Sequence, residues 1–168
     1  MTDRRRVVFG VNVVVGAVAT GNSPFRSWPS PPPVSDNPYA DCLGIANDAR
    51  EFSLYLSEHV LRNVARVLVE GFGWELDRVE EYLALVVEIV DASGGSIVDP
   101  AVPVSDCADY EDNGILELAL ASSADLIVSD DTDLTSLSPW RGIPVLRPRE
   151  FTGRVDAARR AGRRKRPR

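Results

Sequence analysis

A chain of 168 residues with 44% apolar and 26% charged positions holds enough hydrophobic material for one compact core and too little length for two. Twelve glycines, twelve prolines and a mean hydropathy of −0.10 exclude a fibrous or wholly disordered chain, and no apolar run reaches the roughly 18 residues of a membrane helix. The net charge of −6 hides an asymmetry: residues 154–168 hold eight cations and one acid, a charge of +7, which leaves −13 on residues 1–153.

From that partition an acidic domain is expected over residues 1–153, followed by a basic, disordered tail over 154–168 suited to nucleic acid or an acidic partner. The amino-terminal arginines precede Val-rich sequence with no cleavage pattern, so a cytoplasmic protein is expected. Two cysteines, Cys42 and Cys107, lack metal-ligand spacing, and a single histidine, His59, excludes His-rich metal centres and leaves a Ser-His-Asp triad little room.

In chain order, Val7–Val15 is a nearly continuous β-branched run and reads as a central strand buried on both faces. Residues 23–38 carry six prolines and read as an extended surface loop inserted after it. Asn37 followed by Pro38 forms a helix start, and apolar residues at helical spacing continue to Ala49. Phe52–Leu56 is a short strand. Ser57 then caps a helix whose face is Val60, Leu61, Val64, Val67 and Leu68, ended by Gly71 and Gly73. A second amphipathic helix from about Glu75 to Ala92 makes a hairpin arm with it, stopped by Gly94 and Gly95; its apolar faces would suit a homodimer. Ser96–Val98 is a weak strand, Asp99–Tyr110 a polar loop, Asp112 opens a helix through Ala121, and Leu126–Ser129 and Ile143–Leu146 are further strands. This alternation predicts an α/β fold with a mostly parallel sheet, ligands lying beyond the carboxyl ends of its strands.

Three polar clusters fall where such a sheet would place a site: Gly10-Val11-Asn12, Asp109–Asn113 and Ser129–Leu134. Crowded carboxylates repel one another at neutral pH unless a cation sits among them, and oxygen ligands without His or Cys favour Mg²⁺ or Mn²⁺. Taken singly, each acid also suits an ordinary helix cap.

The segments VVFGVNVVVGAVA, FSLYLSEHVLRNVARVL, DYEDNGILELALASSADLIVSDDTDL and GIPVLRPREF, in this order, resemble a PIN domain of the branch that supplies toxins of toxin–antitoxin pairs. The resemblance implies a three-layer α/β/α fold, metal-dependent cleavage of RNA phosphodiesters, and an antitoxin protein as partner. Its acidic positions fall on Asp112 and Asp131 as metal ligands, with Asp133 as supporting acid. Asn12 would orient a carboxylate or phosphate and Ser129 would contact the scissile phosphate. Two family acids are replaced, by Gly10 at the end of strand one and by Asn63 on the helix after strand two. The loss of two charges predicts a weakly held metal and leaves open a non-cleaving module that binds RNA or protein. His59 is expected to face solvent without a role. LIVSDDTDLT also resembles the nucleophile motif of haloacid-dehalogenase-like phosphatases, but the downstream Lys and acidic pair that chemistry needs are missing, Lys165 in the tail being the sole lysine.

Overall fold

The computed structural model describes residues 3–19 and 37–166. Of the expected proline-rich loop, only Asn37 and Pro38 fall within the described residues.

Five short strands form one all-parallel sheet in the order β3-β2-β1-β4-β5: β1 (Arg5–Phe9), β2 (Phe52–Leu56), β3 (Ser96–Ile97), β4 (Leu126–Val128) and β5 (Val145–Leu146). Val7 is in register with Leu54 on one side and Leu126 on the other, and all three are 4% exposed or less. Central strands of a parallel sheet are covered on both faces, which is why they read as unbroken apolar runs. The helices α1 (Val11–Ala19), α2 (Pro38–Asp48), α3 (Glu58–Arg66), α4 (Leu76–Ala92), α5 (Tyr110–Ala121), α6 (Thr132–Thr135) and α7 (Pro148–Arg164) flank it.

Two expectations are corrected here. The β-branched run does not continue as a strand to Val15: β1 ends at Phe9, and Val11–Ala19 is helical. Its neighbours end at the same level, since Gly10 N donates to Val128 O at 2.9 Å and β4 stops there. Without partner strands the backbone satisfies its polar groups locally, and Val13, Val14 and Val18 are buried from a helix. Burial outweighs the roughly 0.5 kcal/mol per residue by which valine disfavours a helix.

The basic tail is likewise helical through Arg164 rather than disordered. The stripe that seats it begins before residue 154, at Phe151, whose ring meets Phe9 at 6.0 Å and Phe52 at 5.1 Å edge to face. Val155 follows one turn later and is buried. One turn further, Arg159 reaches Asp48 at 2.9 Å and Glu51 at 2.7 Å.

The two helices expected as a hairpin follow one another as α3 and α4, joined through one π-helical turn (Val67–Gly71). Val60, Val64, Leu68, Val79, Tyr82, Val86, Ile89 and Val90 turn inward and are 2% exposed or less. At the amino edge of the sheet, Arg4 Nη1 donates to Ser93 O and Arg6 Nη1 to Ser122 O, so two cations meet the carbonyl ends of α4 and α5.

Candidate metal centre

The carboxyl ends of β1 and β4 lie side by side, and the chain leaves both through polar turns. After β1 comes Gly10 and then α1; after β4 come Ser129, Asp130 and Asp131, the last capping α6 by accepting from Asp133 N at 2.9 Å. On α5 the cap is Asp109, which accepts from Glu111 N at 2.7 Å, so Asp112 belongs to the first turn instead of opening the helix as expected. Asp112, Asp131 and Asp133 are thereby brought together, each offering an oxygen within 4.8 Å of the others.

Asp112 carries the strain of this arrangement. It is 7% exposed, and its Oδ2 is buried with no hydrogen-bond partner among the described residues. Burial first, then the charges of Asp131, Asp109 and Asp133, push its carboxyl up to about 7. A buried acceptor left unmatched beside two further carboxylates costs free energy unless something positive occupies the gap. An oxygen-only donor set of this kind fits a hard divalent cation.

The remaining expected residues fall into two groups. Gly10, Asn12 and Ser129 are at the site. Asn12 Oδ1 accepts from Asp130 N at 3.4 Å, and Ser129 Oγ accepts from Asp131 N at 3.1 Å, so both hold the turn that carries the acids. Ser129 is buried at the cavity lining, where its hydroxyl holds the backbone of the turn. A Cβ on Gly10 would stand 3.2 Å from both Asn12 Oδ1 and Ser129 Oγ, a tight fit that a carboxylate there would have to open.

Asn63 lies on α3, the helix that packs against α5. It is buried there with its Nδ2 3.1 Å from His59 Nε2. His59 is half-buried, against the expectation that it faces solvent, and its ring meets Tyr110 edge to face at 5.3 Å. A Cβ on Gly114 would lie 2.6 Å from that ring, so glycine is what lets α3 and α5 approach at this point. His59 thus helps to seat the helix that carries Asp112.

Three supporting residues escape a reading of the chain by motif. Asp130 points away from the cluster: Tyr39 Oη donates to it at 2.6 Å and Arg147 Nη1 at 2.9 Å, and the tyrosine bond and the nearby guanidinium hold its carboxyl low. Successive side chains on extended backbone face opposite ways, so of two adjacent aspartates only one can serve the site. Arg66 of α3 pairs with Glu111 beside Asp112, joining the same two helices.

At the acids opens a cavity of about 370 Å³ whose polar lining includes Asn12, Glu111, Asp112, Ser129 and Asp131, beside Gly10 and an apolar wall. Among the described residues no helix is long and apolar enough to cross a membrane. No curated protein matches the chain. The profile described as a PIN domain matches residues 6–133, a span that includes Gly10, Asn63 and all three acids. The chain belongs to the PIN domain family, with the α/β architecture and acidic cluster that accompany a nuclease fold.

Proposed function

We propose that this protein is a metal-dependent ribonuclease that cleaves RNA phosphodiesters with water, using Mg²⁺ or Mn²⁺ held by Asp112, Asp131 and Asp133. The observation that carries this reading is the orphaned, buried Oδ2 of Asp112 inside a group of three carboxylates. When bound, such an ion lowers the pKa of a water and offsets charge developing on phosphate. The chain supplies the rest. Asn12 and Ser129 fix the backbone of the Asp130-Asp131 turn, and Asp131, with one oxygen committed to capping α6, presents the other. Asp112 brings the buried, unmatched acceptor oxygen that the ion would meet.

The test is cleavage of labelled RNA across a Mn²⁺ titration, with EDTA and Asp112→Asn as controls. Metal-dependent cleavage abolished by both supports the reading. Uncleaved RNA at saturating metal sinks it and favours a second reading, a module that binds RNA or protein without cutting; Gly10 and Asn63, which replace two family acids, are the residues that favour it.

We further infer a toxin role, with an antitoxin protein as partner, from the sequence resemblance. A cytoplasmic setting fits the unbridged Cys42 and Cys107. A homodimer would use the exposed Leu76 and Val87 of α4, and sedimentation of the wild type against Leu76→Ser with Val87→Ser tests that pairing.

A further inference from the structure

The cavity has two chemically different sides. Beside the acids its lining includes an apolar wall to which the segment after α3 contributes Val67, in the π-turn, and Phe72, just past it. Along it Leu68 and Trp74 are buried, while Phe72 between them is 51% exposed although it lines the cavity. The backbone explains the exception. The π-turn widens the helix by one residue, and Gly73 at φ +66° reverses the chain, so Trp74 N returns to Leu68 O at 3.0 Å and Phe72 is left at the apex. Val11, Val15 and Ile115 continue the apolar surface beside it. Arg66, the residue before Val67, reaches the cavity through its ion pair with Glu111, which lines it.

Phe72 presents a flat apolar face at the mouth of a polar site, and Arg66, paired with Glu111 next to the buried Asp112, is a group that anionic phosphate would seek. We propose that this wall is a subsite for an unpaired nucleotide of RNA adjoining the scissile phosphate: Phe72 stacks on the base, and Arg66, released from Glu111, binds a backbone phosphate. The proposal rests on the ribonuclease reading and adds the residues of this chain that would contact the base and the phosphate. A base has a free face for Phe72 only when it is unstacked and outside a duplex. The cavity volume of about 370 Å³ lies within the roughly 300–1,000 Å³ usual for small-ligand sites.

The probes are adenosine 5′-monophosphate and ribose 5-phosphate, titrated by NMR into the full chain in one Mg²⁺ buffer, so that only the base differs. Adenosine 5′-monophosphate should bind about 5- to 100-fold more tightly. Phe72→Ala should erase that ratio and Phe72→Trp should keep it. Arg66→Met should weaken both probes about tenfold and leave the ratio alone, whereas Glu111→Gln, by freeing Arg66, should tighten both. Equal binding of the two probes, or a ratio that survives Phe72→Ala, overturns the subsite. So does sedimentation showing a dimer that Phe72→Ala dissolves, since the ring would then be covered by a second copy. A base-dependent ratio in a protein that cleaves no RNA keeps the subsite and removes the ribonuclease reading; cleavage without the ratio does the reverse.

Discussion

Asp112 is a carboxylate whose folded environment opposes its own charge. Its pKa is raised from 3.8 in a free side chain to about 7. A raised carboxylate pKa means that the folded protein binds its proton more tightly than the unfolded chain does. The stability contributed by the protonated form is therefore complete below about pH 4 and is lost as pH rises through about 7. Asp112→Asn removes the penalty and should raise the stability of the metal-free protein at pH 8 by on the order of 2 kcal/mol, and its melting temperature with it, while abolishing Mn²⁺ binding. Calorimetry and metal titration on the same sample check both halves; a destabilised variant would mean that the carboxylate is satisfied after all. The metal itself should bind more tightly from pH 6 to pH 8, releasing close to one proton per ion at pH 6 and few at pH 8, with the proton count read from titrations in two buffers of different ionisation enthalpy. At Gly10 the structure changes what a repair would do. Gly10→Asp adds a charge at the site but forces Asn12 and Ser129 apart, so it should tighten Mn²⁺ only at a cost in stability, and Asn63→Glu should lose the pairing with His59, so that any gain in Mn²⁺ affinity there also comes at a cost in stability. Fluorescence-monitored Mn²⁺ titration of each single variant distinguishes the two. The acids Asp112, Asp131 and Asp133 are legible in the sequence because carboxylates at strand ends and helix starts have few alternatives. The seating of Asp112 by His59 and Gly114 is not, since a contact between two helices leaves no local spacing to read.

At the scale of elements, strands and helices are legible where caps and turns punctuate them. Asn37 accepts from Tyr39 N and Ala40 N, and Ser57 from Val60 N, as the residue types imply. Boundaries blur where periodicity is ambiguous. A valine run carries no period, so Val7–Ala19 can be divided into strand and helix only by knowing that β2 and β4 end opposite Phe9. Charge alone divides helix α7 at the wrong residue, because its charge changes at Arg154 while its packing stripe starts at Phe151. Truncation after Gly153 therefore removes buried Val155 and the Arg159 clamp on Asp48 and Glu51, and should cost about 3 kcal/mol. Truncation after Gly162 spares both and should leave the denaturation midpoint unchanged. Urea unfolding of the two truncated chains decides between a docked helix and a passive tail, because a passive tail predicts no difference between them.

Across the whole molecule, a parallel sheet gives the two edges different chemistry. All strand carboxyl ends point one way, so the acids gather at that edge. Helix α7 runs back from β5 until Arg159 grips Glu51, just before β2 begins, which puts its cationic end at the amino edge. Seventeen helical residues at about 1.5 Å each place Arg164 roughly 25 Å from the start of the helix. Arg163, Arg164, Lys165 and Arg166 form no ion pair among the described residues. The last six residues carry five cations and no acid, so the rest of the chain holds −11. A helix length of about 25 Å is about three Debye lengths at physiological salt, and the helix starts after β5 at the edge where the acids gather, so its far cations offset little repulsion there and serve to anchor a strand long enough to reach the acids. Removing residues 163–168 should then weaken binding of an RNA of about twenty nucleotides and lower its salt slope by about 0.7 for each phosphate no longer neutralised, while an RNA of about four nucleotides, confined to the site, binds as before. Anisotropy titrations of both lengths over a range of salt provide the measurement. If the short RNA loses affinity as well, the charge acts at the site and the chain's carboxyl terminus lies closer to the acids than the fold implies; if neither RNA is affected, the cationic end serves only the carbonyl terminus of its own helix.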